Sequence, residues 1–385
     1  MDLTLPTPLL GGLTPSAFMR RHWQKKPLLI RGAVPGGAPV VSRAQLFALA
    51  AEEGVESRLV VHSGAAWTLR HGPFRRGAMP PLRQPRWTLL VQGMDLHLDA
   101  ARALQERFRF VPDARLDDVM VSYASDGGGV GPHVDSYDVF LLQVQGRRTW
   151  RVGRVADPAL VPDVPLKILA NFTPEVEWLL EPGDMLYLPP GWGHDGVAVG
   201  ECLTCSIGFR AAGREQLARD VLQRALDGAE PVEGDVLYRD PRQPATDEPG
   251  RIPGALLAFA ADAASRTLAD PRWLGCALGE VLSEPKPGVW FDTRGVPTVT
   301  GTATGVRLDR RSRMLYDDWH VFINGESYQA SGRDATLIRR LADHRALGPR
   351  EMASLGAAAR ELLDDWLAAG WLRHDEAGRN EGGGT

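Results

Sequence analysis

Cysteine is scarce, with three in 385 residues. So few thiols in so long a chain exclude a disulfide framework and point to a reducing compartment. No stretch approaches the roughly 20 uninterrupted apolar residues of a membrane-spanning helix. An excess of one charge is missing too: 44 Lys and Arg stand against 48 Asp and Glu, a net −4. That balance provides no global basic field for nucleic acid or anionic lipid. The run from Met1 to Gly12 lacks the basic start and apolar segment of a secretory leader, so a cytoplasmic protein is expected. No internal repeat is found.

Turn formers are abundant instead, with 42 Gly and 29 Pro, and hydrophobic residues make up 44%. The length predicts two or three domains with ample core. Thr14-Pro15 reads as an N-cap and first helical residue, Ser42 and Gln45 as a capping box, and 27–30 as a strand. Further strands are expected at 58–62, 67–70 and 86–91, and a helix at 98–108. From 117 to 210 short β-rich runs (119–125, 138–144, 149–152, 185–188, 203–209) alternate with Gly and Pro turns, which predicts an all-β sandwich or barrel. Helices are expected at 214–227, with Leu217, Val221, Leu222 and Leu226 on one face, and at 254–268 and 272–282. Residues 230–251 read as a linker. Strands at 296–299 and 320–323 precede helices at 336–344 and 357–369, with a short strand at 371–372.

The densest chemical signal is Gly127-Gly128-Gly129-Val130-Gly131-Pro132-His133-Val134-Asp135. On an extended backbone His133 and Asp135 point to one side and can converge on one ion. The glycines let the chain turn and leave room for ligands. A third ligand should come from another strand, and His194, after the Pro-Pro-Gly turn at 189–191, is the candidate. Two imidazoles and a carboxylate on one face form the facial triad of non-haem Fe(II) oxygenases. Beside such a site a buried guanidinium wants an anionic ligand. Alternation puts only one of Arg147 and Arg148 inward.

These residues resemble the bacterial JmjC-type ribosomal oxygenases, which hydroxylate arginine. The likeness rests on the runs Lys26 to Arg31, Gly128 to Phe140, Gly146 to Trp150, Glu181 to Gly191 followed by His194, and Ser206 to Arg210. It implies an α+β chain: a double-stranded β-helix (jelly-roll, cupin) core at 1–210, a helical dimerisation bundle at 211–284, a winged-helix-like domain at 285–375 and a disordered tail at 376–385. It implies Fe(II) on His133, Asp135 and His194, and 2-oxoglutarate anchored by Arg148, with Ser122 and Thr204 offering hydrogen bonds. Asp118, Met120, Tyr137 and Ser206 would line an arginine pocket, Asp118 pairing with the guanidinium, Tyr137 covering it and Met120 packing on its methylenes. The implied reaction consumes O2 and 2-oxoglutarate, releases succinate and CO2, and β-hydroxylates an arginine of a large-subunit ribosomal protein. A homodimer that meets neither membrane nor specific nucleic acid sites is expected. Action on another protein residue, as in lysine demethylases or asparaginyl and histidyl hydroxylases, and a non-enzymatic cupin-like metal sensor are the competing readings.

Two weaker signals are read as packing. Cys202 and Cys205 have redox or zinc spacing, but positions i and i+3 of a strand face opposite ways and no second pair exists. Trp290, Trp319, Trp366 and Trp371 are expected in the C-terminal core.

Overall fold

In a computed structural model of the chain, the described residues are 2–35, 40–64, 66–227, 236–239, 241, 251–268, 271–293, 305–329 and 331–375. They fall into two units, Met1–Ala211 and Ala212–Thr385. The expected strand at 296–299, the tail at 376–385 and most of the expected linker lie outside the described residues.

The first unit opens with α1 (Pro15–Arg21), where Thr14 Oγ1 accepts from the Ala17 N–H at 3.0 Å. Next come β1 (Leu28–Ile30) and α2 (Arg43–Leu49), which carries the Ser42–Gln45 capping box. Strands β2 (Ser57–Ser63), β3 (Ala66–His71) and β4 (Trp87–Val91) lead to two short helices, α3 (Met94–His97) and α4 (Asp99–Glu106). Then follow β5 (Leu116–Ala124), β6 (His133–Val134), β7 (Val139–Arg154), β8 (Val176–Leu180), β9 (Met185–Leu188) and β10 (Trp192–Phe209). Every pairing is antiparallel, in the order β1-β9-β7-β10-β5-β4-β2-β3, with β6 on β10 and β8 on β7. The unit is a cupin-type β-sandwich. Its inner face buries Phe18, Phe140, Tyr187 and Phe209 as an aromatic cluster.

Three strand expectations need correction. The expected runs 138–144, which begins at Val139, and 149–152 belong to one strand, β7, and 203–209 is the end of an eighteen-residue β10. Gly146, between the two expected runs, sits in the strand at φ 66°, opposite a register shift between Val199 and Leu203. A Cβ there would fall 2.1 Å from the Glu201 carbonyl oxygen, so glycine lets the ladder absorb a bulge instead of ending. Strand β8 was not anticipated.

In the second unit α5 (Arg214–Asp227), α6 (Gly254–Leu268) and α7 (Pro271–Ser283) precede two small antiparallel sheets. One joins β11 (Gly305–Leu308) to β15 (Ala346–Leu347) and β16 (Leu372–Asp375); the other joins β12 (Met314–Tyr316), β13 (His320–Ile323) and β14 (Glu326–Gln329). Helices α8 (Gly332–His344), α9 (Pro349–Ala353) and α10 (Ala357–Ala368) complete it. Ile338, Leu341, Leu363 and Trp366 form its core. Trp371 packs against that core, but Trp290 and Trp319 are 82% and 52% exposed, correcting the expectation that all four tryptophans are buried. Trp319 lies instead beneath the Arg272 guanidinium. On α5, Leu217, Val221 and Leu222 line an apolar groove with Leu274 and Leu278 of α7, while Leu226 is exposed. Among the described residues no helix is long and apolar enough to cross a membrane.

Candidate metal and ligand site

The site forms where β10 begins. There β10 runs between two strands, so His194 pairs with His133 of β6 on one side and with Val152 of β7 on the other. This places the two imidazoles side by side, ring centroids 4.2 Å apart. Asp135, two residues after His133, reaches both: its carboxylate oxygens lie 3.9 Å from His133 Nε2 and 3.5 Å from His194 Nε2. One ligand atom from each residue falls within 4.8 Å of the others, and no other such group occurs among the described residues. His133 Nδ1 faces the Gly131 carbonyl at 2.9 Å and His194 Nδ1 the Trp192 carbonyl at 3.1 Å. With Nδ1–H donated to those carbonyls, both Nε2 lone pairs are free for a metal. Burial, with the neighbouring His133 adding to it, pushes His194 down to about 3, so its imidazole is neutral. Burial also raises the Asp135 carboxyl, against the pull of His133 and of a hydrogen bond from Tyr137.

The glycine run has a packing reason. A Cβ on Gly129 would fall 2.6 Å from the Gly196 carbonyl oxygen, so only glycine lets this loop lie against β10 and deliver His133.

Alternation along β7 turns Arg147 out and Arg148 in, where it is 5% exposed. Its Nη1 donates to Ser122 Oγ at 3.3 Å, and its guanidinium carbon lies 5.7 Å from the Trp150 ring, which in turn neighbours His194. Arg148 Nε and Nη2 are buried with no partner, and no carboxylate among the described residues pairs with this guanidinium. Thr204, almost fully buried, donates to Gln143 Oε1 at 3.0 Å, and Gln143 Nε2 donates to the Gln145 and Gly146 carbonyls.

The remaining expected residues gather on the inner face of β5 and its neighbours. Asp118, Met120 and Ser122 alternate along β5, and Ser206 of β10 pairs with Met120. The Asp118 carboxylate accepts from the Gly93 N–H at 3.1 Å. Tyr137 is 38% exposed, and its hydroxyl is raised by burial and by the charges of Asp135 and Asp118. Both acids therefore lie near it. Sequence reasoning missed Gln143 and Arg58. The signal was a polar residue inside an apolar alternating strand, as in Ser57-Arg58-Leu59-Val60. Cys202 and Cys205 are buried in different core clusters, which separates them as strand alternation predicts.

Two imidazoles and a carboxylate suit a divalent transition metal held on one face. The buried Arg148 keeps two donors unpaired, with the Asp195 carboxylate feeling its charge only from outside ion-pair range, and so suits a carboxylate ligand.

Comparison with known proteins agrees with this chemistry. The JmjC domain pattern matches residues 103–217, and a ROXA-like winged-helix pattern matches residues 266–373. Escherichia coli ribosomal protein uL16 3-hydroxylase is 39% identical over 240 residues, 61% of this chain and 62% of that protein. The matched stretch thus spans less than two thirds of that curated relative. The structure of E. coli YcfD, a ribosomal oxygenase, with cobalt and succinic acid superimposes with a TM-score of 0.74 at 30% identity, covering 94% of this chain and 98% of that one. YcfD with cobalt and 2-oxoglutarate gives a TM-score of 0.75 at 29% identity with the same coverage.

Proposed function

The chain belongs to the JmjC ribosomal oxygenases, and on that premise we propose that it is an Fe(II)- and 2-oxoglutarate-dependent protein hydroxylase. Its proposed substrate is an arginine of the large-subunit protein uL16, met in the cytoplasm. The observation that carries this reading is Arg148. A guanidinium 5% exposed, with two orphaned donors and no carboxylate partner, is costly unless a ligand supplies the missing acceptors.

In this reading His133, Asp135 and His194 hold the metal. Bound iron supplies O2 activation coupled to oxidative decarboxylation of 2-oxoglutarate to succinate and CO2. The chain's own residues bind and orient. Arg148, with Ser122 beside it, takes the distal carboxylate of 2-oxoglutarate, and Thr204, tied by Gln143, offers a hydroxyl on the same wall. Asp118 pairs with the target guanidinium, Met120 and Ser206 flank its stem, and Tyr137 covers it. Their task is to fix one C–H bond in reach and to exclude water.

The proposed division is catalysis at 1–210, dimerisation at 211–284 and a winged-helix-like domain at 285–375. Dimerisation is supported by the apolar α5–α7 groove and by the exposed Leu256, Leu257 and Phe259 of α6. The balanced charge supports a winged helix used for protein contact, not for DNA reading.

The test is to incubate Fe(II)-loaded protein with 2-oxoglutarate, O2 and recombinant uL16, then weigh the digested peptides. One arginine peptide gaining one oxygen, with succinate formed, is expected. Neither product forming, or His133→Ala matching wild type, sinks the proposal. Turnover that survives Asp118→Ala would move the target to another residue type.

A further inference from the structure

Arg58 of β2 takes no part in the metal and 2-oxoglutarate roles proposed above, yet strand register carries it to the same wall. It pairs with Leu90, Leu90 with Ser122, Ser122 with Thr204 and Thr204 with Gln143. Directly paired residues project to one face of a sheet, so Arg58 stands at the end of the row that holds the partner of Arg148. Its Nη2 lies 3.9 Å from Met120 Sδ, a weak acceptor. Its charge is felt by both the Asp135 carboxylate and the Tyr137 hydroxyl. Its Nε is buried with no hydrogen-bond partner.

A buried donor left unmade is unfavourable, so this one asks for an acceptor brought by a ligand. The target guanidinium cannot serve, since it has only donors and the same charge. The distal carboxylate of 2-oxoglutarate is assigned to Arg148. The acceptor that every peptide carries at a fixed distance from its side chain is the main-chain carbonyl.

We propose that Arg58 is a substrate-positioning residue that donates to a main-chain carbonyl of the substrate peptide beside the arginine to be hydroxylated. The inference rests on the hydroxylase reading and adds a substrate contact to it. The contact fixes the register of the peptide over the metal. Like charge turns the target guanidinium away from Arg58 and towards Asp118.

Steady-state kinetics with a uL16 peptide test it, using Arg58→Met and the donor-retaining Arg58→Gln, both checked by circular dichroism. Arg58→Met should raise the peptide KM about tenfold to a hundredfold, the usual range for a hydrogen bond to a charged group. The KM for 2-oxoglutarate and the slow turnover without peptide should stay within about twofold, because neither uses this contact. Arg58→Gln should fall between. A thioamide beside the target arginine, a weaker acceptor, should raise KM for wild type and not for Arg58→Met. An unchanged peptide KM, a parallel loss of peptide-free turnover, or a thioamide effect that persists in Arg58→Met overturns the assignment. Wild type that hydroxylates no peptide overturns the hydroxylase reading itself, whereas active wild type with an indifferent Arg58→Met removes only the role of Arg58.

Discussion

The Tyr187 hydroxyl donates to the Asp138 carboxylate at 2.6 Å, joining two residues 49 positions apart. Gln24 completes the knot: its backbone N–H donates to Tyr187 Oη at 2.8 Å and its side-chain amide to Asp138 at 3.1 Å. Asp138 is fully buried, so each donor offsets part of the cost of keeping a carboxylate away from water. Tyr187→Phe keeps the ring in the aromatic cluster and removes only the hydroxyl. It should cost about 1–3 kcal/mol of unfolding free energy, the range for leaving a buried polar group short of a partner. Urea denaturation followed by tryptophan fluorescence measures it. A midpoint equal to wild type would show that the knot adds nothing to stability.

Arg148 tests the co-substrate assignment. Arg148→Ala should abolish measurable 2-oxoglutarate binding by calorimetry on Co(II)-loaded protein, with the metal still bound. Arg148→Lys keeps a charge but loses the planar fork, and should weaken 2-oxoglutarate binding by about tenfold or more. Equal affinity in wild type and Arg148→Ala would remove Arg148 from the co-substrate site.

Asp184 predicts an acid-side loss of stability. Partial burial disfavours its charged form, but the N–H groups of Gly32 and Glu181 and the Arg31 guanidinium at 2.6 Å outweigh this and hold its pKa below the ordinary 3.8. A depressed carboxyl pKa contributes stability above the unfolded-state value and loses it as pH falls through the folded-state value. Asp184→Asn should therefore be less stable than wild type at neutral pH, and the gap should close below about pH 4. Thermal melts from neutral to acid pH show whether it does. A gap independent of pH would mean that the lost bonds, not the charge, matter.

The residues also explain how much of this was legible beforehand. His133 and Asp135 were readable because their relation is local, two positions apart after a glycine run. The β10 register then brings His194 against His133. Arg147 and Arg148 could not be separated from sequence, since alternation has no fixed phase until β7 is paired on both sides. Arg58 was only half legible: a charge inside the apolar run of β2 marks it, but its place on the site wall depends on registers across five strands, none of them encoded near residue 58. Gly146 between the runs 138–144 and 149–152 does not separate them, because a glycine permissive of a turn is equally permissive of a bulge. The tryptophans failed otherwise. Composition predicts burial on average, yet Trp319 is 52% exposed under Arg272.

Gly129 tests whether the loop before His133 is built for the metal. A methyl there would meet the Gly196 carbonyl oxygen at 2.6 Å, well inside contact distance, and backbone on both sides leaves no flexible atom to move. Gly129→Ala must push the loop off β10, carrying His133 away from Asp135 and His194. Co(II) affinity, followed by its visible absorption, should fall by about tenfold or more, since a displaced ligand loses a metal bond. Gly54→Ala is the matched control: a Cβ there meets nothing within 4 Å and its backbone is not in the left-handed region. That variant should bind Co(II) as wild type does. Were Gly129→Ala to bind Co(II) equally well, the close approach of the loop would be irrelevant to the triad, and the glycine run would need another explanation.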